Sequence, residues 1–214
     1  LDGVNKYFEV MSGSVRPAER VGVTIFVGQT VYGIANFLLT SATPLLTMRL
    51  ISEERKNQTL PFLFSAPISL TEIVLGKFLG LVIFLSILVV YIFAMLATLN
   101  IWADIDFGYL LGNSFGLLLL IASFSALGLY FSSLTSQPII AAISTFLSLI
   151  AMGILGNYFA SDPSHWFGYI SMTKHYQSFT RGVIDSSDVI YFILFITTFL
   201  TLTVRRLDSD RLSG

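Results

Sequence analysis

The densest group of charges in this chain is the tetrapeptide Glu53-Glu54-Arg55-Lys56. Two carboxylates beside a guanidinium and an ammonium can form ion pairs and charge-assisted hydrogen bonds, within the chain or with another protein. The four side chains include no nucleophile paired with a general base, so they do not predict catalysis. Two interpretations stay open: a solvated turn between two membrane helices, or a surface on which another protein acts.

Other residues that could do chemistry are sparse. The chain has no cysteine, which excludes disulfides, thiolate metal sites and thiol nucleophiles. The histidines and nearby carboxylates lack the close spacing of metal ligands, so we predict no metal site at Asp162, His165, His175 and Asp185. There is no G-x-x-x-x-G-K-[ST] motif, because its nearest approach, 28–33, is followed by Ile34 and Ala35. We therefore predict that the chain binds no cofactor, hydrolyses no ATP and is not an enzyme.

The composition is that of an integral membrane protein. The 214 residues are 54% hydrophobic and 12% charged, with a mean hydropathy of +0.78. Soluble globular chains carry roughly 25% charged residues, about twice this share. The net charge of -1 argues against a nucleic-acid partner, since phosphate binding needs a basic surface.

Segments without charged residues define the elements that must position the tetrapeptide. The uncharged runs are 21–48, 78–103, 107–161 and 189–204. The third run would be about 80 Å long as one helix, far more than a bilayer, so it must fold back at its polar cluster, 132–138. The sequence thus predicts an all-α, polytopic membrane protein with five spans at about 22–48, 73–101, 108–132, 138–160 and 188–205.

Local signals support these boundaries. Ser69 and Glu72 fit a capping box directly before an apolar run, and Pro138 stands where a first helical turn tolerates proline. Between the last two spans, segment 161–187 is too polar to cross the membrane. It is predicted either as an interfacial belt of aromatic and basic side chains or as short helices outside the membrane.

The distribution of Lys and Arg predicts the orientation. Placing the 49–72 loop inside leaves seven basic residues inside and five outside, which is a weak positive-inside bias. The loop and the C-terminal tail are then cytoplasmic, and 1–20 and 161–187 are outside. Five spans put the two chain ends on opposite sides, so we expect a further first helix, and six in all, in the full-length protein.

Small residues recur at helical spacing in the third span. Gly108, Gly112 and Gly116 repeat every four residues, which favours close helix packing. That packing could lie within one chain or at the contact between two copies, and the sequence leaves both open.

The loop carries a family resemblance. Glu54-Arg-Lys-Asn-Gln-Thr-Leu60, then Leu63, Pro67-Ile-Ser69 and Ile73-Val-Leu-Gly-Lys77, resembles the E-R/K-x-x-G-T-L-x-x-L-x-x-x-P-I/V-S…I-V-x-G-K pattern of ABC-2-type transporter permeases. The gliding-motility and nitrous-oxide-reductase-maturation permeases are the most similar groups; 176–185 and the tail after Arg205 resemble them too. Two positions depart from the pattern: Gln58 stands where the family usually has glycine, and Pro61 where it often has glutamate.

The resemblance implies a function for the loop. Segment 49–70 would contain an amphipathic coupling helix seated on a separate ABC ATPase subunit, which binds the ATP and Mg. The ATPase-coupling residues carried over from the pattern are Glu53, Glu54, Arg55, Thr59, Leu60 and Pro67. Pro67 and the capped start at Ser69 would pass the displacement to the next span. The implied assembly holds two permease subunits, identical or related, among the lipids of the bacterial inner membrane.

Three functions remain as expectations. The first is the permease subunit of an ATP-driven exporter of unknown substrate. The second is a non-transporting membrane scaffold or assembly factor driven by the same kind of ATPase. The third, a membrane-embedded enzyme, is disfavoured because no catalytic constellation is visible. No charged residue lies deep within a predicted span, which argues against ion-coupled transport.

Overall fold

The computed structural model describes residues 22–60, 68–98, 106–160 and 171–213, and these form seven helices. Five are long: α1 (Gly22–Thr47), α3 (Leu70–Thr98), α4 (Phe107–Leu134), α5 (Pro138–Ala160) and α7 (Ser186–Ser213). Two are short: α2 (Ser52–Lys56) and α6 (Met172–Thr180). The described residues include no strand, and five helices are long and apolar enough to cross a membrane, so the all-α fold class with five spans is confirmed.

The helix starts follow from local hydrogen bonding. At α3 the Ser69 N–H donates to Glu72 Oε2 at 2.8 Å and the Glu72 N–H donates to Ser69 Oγ at 3.2 Å, which is the reciprocal pattern of a capping box. At α4 the Asp106 carboxylate accepts from the N–H groups of Gly108 and Tyr109. These caps satisfy amide groups that have no partner within the helix itself.

Helix α4 is the centre of the bundle. It packs against α1, α3, α5, α6 and α7, and it buries residues around its whole circumference. By contrast, α3 buries a single stripe at Val74, Phe78, Leu81, Leu85 and Val89, while its other faces carry exposed leucine, isoleucine and phenylalanine. A central helix surrounded by helices with apolar outer faces is the arrangement expected in lipid.

Helix α7 extends beyond its apolar part. Its 28 residues span about 42 Å, whereas a hydrocarbon core is about 30 Å thick. The last turns, from Arg205 onward, are rich in charge and continue as helix to Ser213. This extension brings charged side chains to the same end of the bundle as α2.

Candidate functional site at the charged end of the bundle

Helix α2 is fixed to the end of α4 by one serine. Ser132 Oγ accepts hydrogen bonds from the backbone N–H groups of Ile51 and Ser52, at 3.1 and 3.0 Å, and donates to the Met48 carbonyl at 3.0 Å. Ile51 is 1% exposed and packs in a core cluster with Val74 and Leu129. The first turn of α2 is therefore held from α1, α3 and α4 together.

Arg55 joins α2 to two more helix ends. Its Nη2 donates to the Ser133 carbonyl at 2.7 Å and forms an ion pair with Asp210 near the end of α7. Asp210 also lies 3.4 Å from Nη2 of Arg206, one turn earlier. Both side chains of the Arg55–Asp210 pair are 20% exposed, so the pair is largely shielded from water.

Glu54 links α2 to α3. Lys77 Nζ lies 2.6 Å from Glu54 Oε1, with the two side chains 21% and 26% exposed. The other oxygen, Oε2, is buried and has no hydrogen-bond partner within 22–60, 68–98, 106–160 and 171–213. The Glu54 side chain therefore faces the interior of the bundle.

A left-handed residue ends α2. Gln58 has a φ of 55°, the Gln58 N–H donates to the Arg55 carbonyl at 3.3 Å, and the Thr59 N–H donates to the Glu54 carbonyl at 2.9 Å. These two bonds define a Schellman motif with Gln58 at the position where glycine is preferred. The pattern that the loop resembles has glycine at this position, and glycine adopts a positive φ without steric cost. This chain forms the same turn with glutamine.

The predicted coupling residues therefore separate by exposure. Glu53 and Thr59 are exposed, and Lys56 is exposed beside them. Glu54 and Arg55 are held in ion pairs with the bundle, and Leu60 is half-buried against the core cluster that contains Ile51. Pro67 and the departure at Pro61 lie outside the described residues. The outward surface of α2 is consequently smaller than the sequence pattern suggested.

The glycines of α4 lie at the opposite end and pack within the chain. A Cβ on Gly112 would lie 3.1 Å from the Gly182 backbone, and a Cβ on Gly116 would lie 2.4 Å from Phe179 Cβ. Gly108 is exposed, and a Cβ there would approach only the capping Asp106, at 3.1 Å. Gly116 thus leaves room for α6, and Gly112 leaves room for the turn that follows α6.

Sequence reasoning missed a largely buried hydrogen-bonded pair, His175 and Asp188, at this same end. His175 Nδ1 on α6 lies 2.6 Å from Asp188 Oδ1 on α7, and the imidazole stacks on Tyr191 with ring centroids 4.2 Å apart. Next to His175, burial raises the pKa of the Tyr176 phenol, so its hydroxyl stays neutral. The sequence feature that could have indicated this pair is Asp188, a single carboxylate at the start of an apolar run. Asp162 and His165 lie outside the described residues.

The fold and the site together define a class of protein: a multi-pass helical membrane protein in which hydrogen bonds and ion pairs hold a short charged helix against one end of the bundle. The family model described as "ABC-2 family transporter protein" matches residues 6–210. The chain therefore belongs to the ABC-2 transporter family. No curated protein and no solved structure matches the chain.

Proposed function

We propose that this chain is the permease subunit of an ATP-driven exporter in a bacterial inner membrane. Membership of the ABC-2 family makes it a membrane transport component and implies an ABC ATPase partner in general. The ATPase subunit would bind the ATP and Mg, and a second permease subunit, identical or related, would complete the pathway. Within the family, the loop motif and the basic tail favour the gliding-motility and nitrous-oxide-reductase-maturation groups.

One observation carries the coupling part of this proposal. Helix α2 is anchored through Ser132, Glu54 and Arg55 to α3, α4 and α7, while Glu53 and Lys56 remain exposed. A helix that is rigidly held on one side and charged on the other can receive a push from a soluble subunit and pass it to the bundle. A merely solvated turn would not need this many anchors.

The test measures association between the permease and a candidate ABC ATPase subunit from the same organism. We expect Glu53→Lys to weaken the complex by about tenfold or more, because it places a like or unpaired charge in the contact. Asp208→Lys is the matched control: it makes the same change of charge at an exposed position of the same end. An ATPase that binds both variants as tightly as the wild type would contradict docking on α2.

The direction and the cargo need a second measurement. Inverted vesicles that contain both subunits should accumulate the exported substrate when ATP is supplied. If the complex hydrolyses ATP but moves no candidate substrate, the alternative of a membrane scaffold or assembly factor driven by the same ATPase gains support.

A further inference from the structure

The contacts of Arg55 suggest a route for movement that the loop sequence does not reveal. Segment 61–67, which leads from α2 to the capped start of α3, lies outside the described residues. Besides the Glu54–Lys77 pair with α3, the described contacts of α2 run to the ends of α4 and α7, through Ser132, the Ser133 carbonyl and Asp210. The following inference rests on the proposed function of α2.

Arg55 faces the bundle rather than solvent. A single nitrogen, Nη2, contacts both the Ser133 carbonyl and Asp210, so one rigid group bridges the last turns of two long helices. Arg55 Nε is buried and makes no hydrogen bond within the described part of the chain. A planar guanidinium in this position fixes geometry as well as charge, which a lysine could not do equally well.

The two helices that Arg55 bridges are the ones that can distribute a displacement. Helix α4 contacts every other long helix, and α7 packs along α4 and α3. Asp210 lies on the charged extension of α7, and Leu207 of the same extension packs in one core cluster with Ile51, the residue before α2. Movement delivered at Ser133 and Asp210 thus reaches the whole bundle through packed helices, which move as rigid elements.

We propose that Arg55 is a positioning residue that transmits the displacement of α2 to α4 and α7 through the Ser133 carbonyl and Asp210. Its role is transmission within the permease, whereas Glu53 and its exposed neighbours contact the ATPase. The basic tail after the last span is then a mechanical part of the permease, in addition to its contribution to topology.

The experiment separates binding of the ATPase from its stimulation. The variants are Arg55→Gln, Asp210→Asn and their combination, with Arg211→Gln and Asp208→Asn as exposed controls that remove the same charges on α7. For each, the affinity for the ATPase and the permease-stimulated rate of ATP hydrolysis are measured in proteoliposomes. A thermal unfolding curve accompanies each variant.

In Arg55→Gln and in Asp210→Asn, we expect the affinity for the ATPase to stay within about twofold of the wild type. The stimulation of ATP hydrolysis should fall about tenfold. The combined variant should lose no more than the worse single variant, because both changes break the same link. The controls should stimulate like the wild type. If Arg55→Gln does not fold, Arg55→Lys keeps the charge but not the planar guanidinium that bridges the Ser133 carbonyl and Asp210, and it should lower the stimulation by at least about threefold with ATPase affinity within about twofold of the wild type.

Several outcomes would overturn the inference. Loss of ATPase affinity in Arg55→Gln with Asp210→Asn unaffected would make Arg55 a docking residue, and additive losses would make the two residues independent. If the wild type stimulates ATP hydrolysis and Arg55→Gln stimulates it equally, the inference about Arg55 is wrong. The proposed function is not affected by that result. A wild type that neither binds nor stimulates the ATPase defeats the proposed function, and the inference with it.

Discussion

At the scale of the residue, Gln58 carries the clearest conflict between sequence and backbone. Its φ of 55° lies in the left-handed region, where a residue with a Cβ costs about 1–2 kcal/mol and glycine does not. The Schellman motif nevertheless forms, because the anchors of α2 fix the residues before it. The strain is thus stored at the outer end of the helix.

We expect Gln58→Gly to raise the free energy of unfolding by about 0.5 kcal/mol, since the relief of strain exceeds the added freedom of the unfolded chain. Asn57→Gly is the matched control: Asn57 has a φ of −84°, so glycine there should lower stability by about 0.5–1 kcal/mol. Equilibrium unfolding in mixed micelles measures both. Equal losses in the two variants would show that the left-handed turn is not strained.

Gly116 offers a second prediction at this scale. An alanine Cβ there would lie 2.4 Å from Phe179 Cβ, and Phe179 is fully buried. We expect Gly116→Ala to lower the free energy of unfolding by about 1–3 kcal/mol, as overpacking does. Gly80→Ala, in α3 with nothing within 4 Å, should change stability by less than about 0.5 kcal/mol. Comparable losses would contradict close packing between α4 and α6.

At the scale of the element, helix starts were predictable and the partners of charged residues were not. The capping box at Ser69 and the proline start at Pro138 depend on neighbours in the chain, so sequence alone indicates them. The partners of Glu54 and Arg55, at Lys77 and Asp210, depend on which helix ends meet. The uncharged run ending at 204 indicated only the apolar part of α7, and the helix continues to Ser213 through turns in which Asp210 pairs with Arg55 and Arg206.

The pairing of α6 with α7 can be tested through His175 and Asp188. The Asp188 side chain is 8% exposed, so removing His175 leaves a buried carboxylate without this hydrogen-bond partner. We expect His175→Leu to cost about 3 kcal/mol of stability and Asp188→Asn about 1 kcal/mol, because asparagine still accepts a hydrogen bond.

Asp185→Asn is the control for that pair. Asp185 is exposed and accepts from the Ser187 N–H, and asparagine caps a helix equally well. Thermal unfolding of the single variants and of the combined His175→Leu and Asp188→Asn variant gives the interaction energy. A value near zero would show that the pair does not hold α6 in place.

At the scale of the whole molecule, two chemically distinct ends are separated by an apolar band. One end holds α2 with the ends of α4 and α7, and the other holds Asp106, α6 and the start of α7. Exposed threonines within the band, such as Thr197, Thr198 and Thr201, donate to carbonyls of their own helix, which makes their hydroxyls compatible with lipid.

Five crossings put the two ends on opposite sides of the membrane, and the weak excess of basic residues predicts that the α2 end is the cytoplasmic one. The chain has no cysteine, so a single introduced cysteine reports its own side. Lys56 and Lys174 are both exposed and are separated by α3, α4 and α5, three crossings. We expect a membrane-impermeant maleimide to label Lys174→Cys in intact spheroplasts and Lys56→Cys only in inverted vesicles.

Arg211→Cys, on the extension of α7, is the matched control and should be labelled together with Lys56→Cys, because four crossings separate the two positions. The outcomes distinguish two claims. Labelling of Lys56→Cys and Lys174→Cys from the same side would contradict the three crossings between them, and with them the fold. If instead Lys56→Cys is labelled in intact spheroplasts and Lys174→Cys only in inverted vesicles, the fold is unchanged but α2 lies outside. An ATPase that draws on cytoplasmic ATP could not then reach α2, so this single reversal would also rule out the proposed coupling.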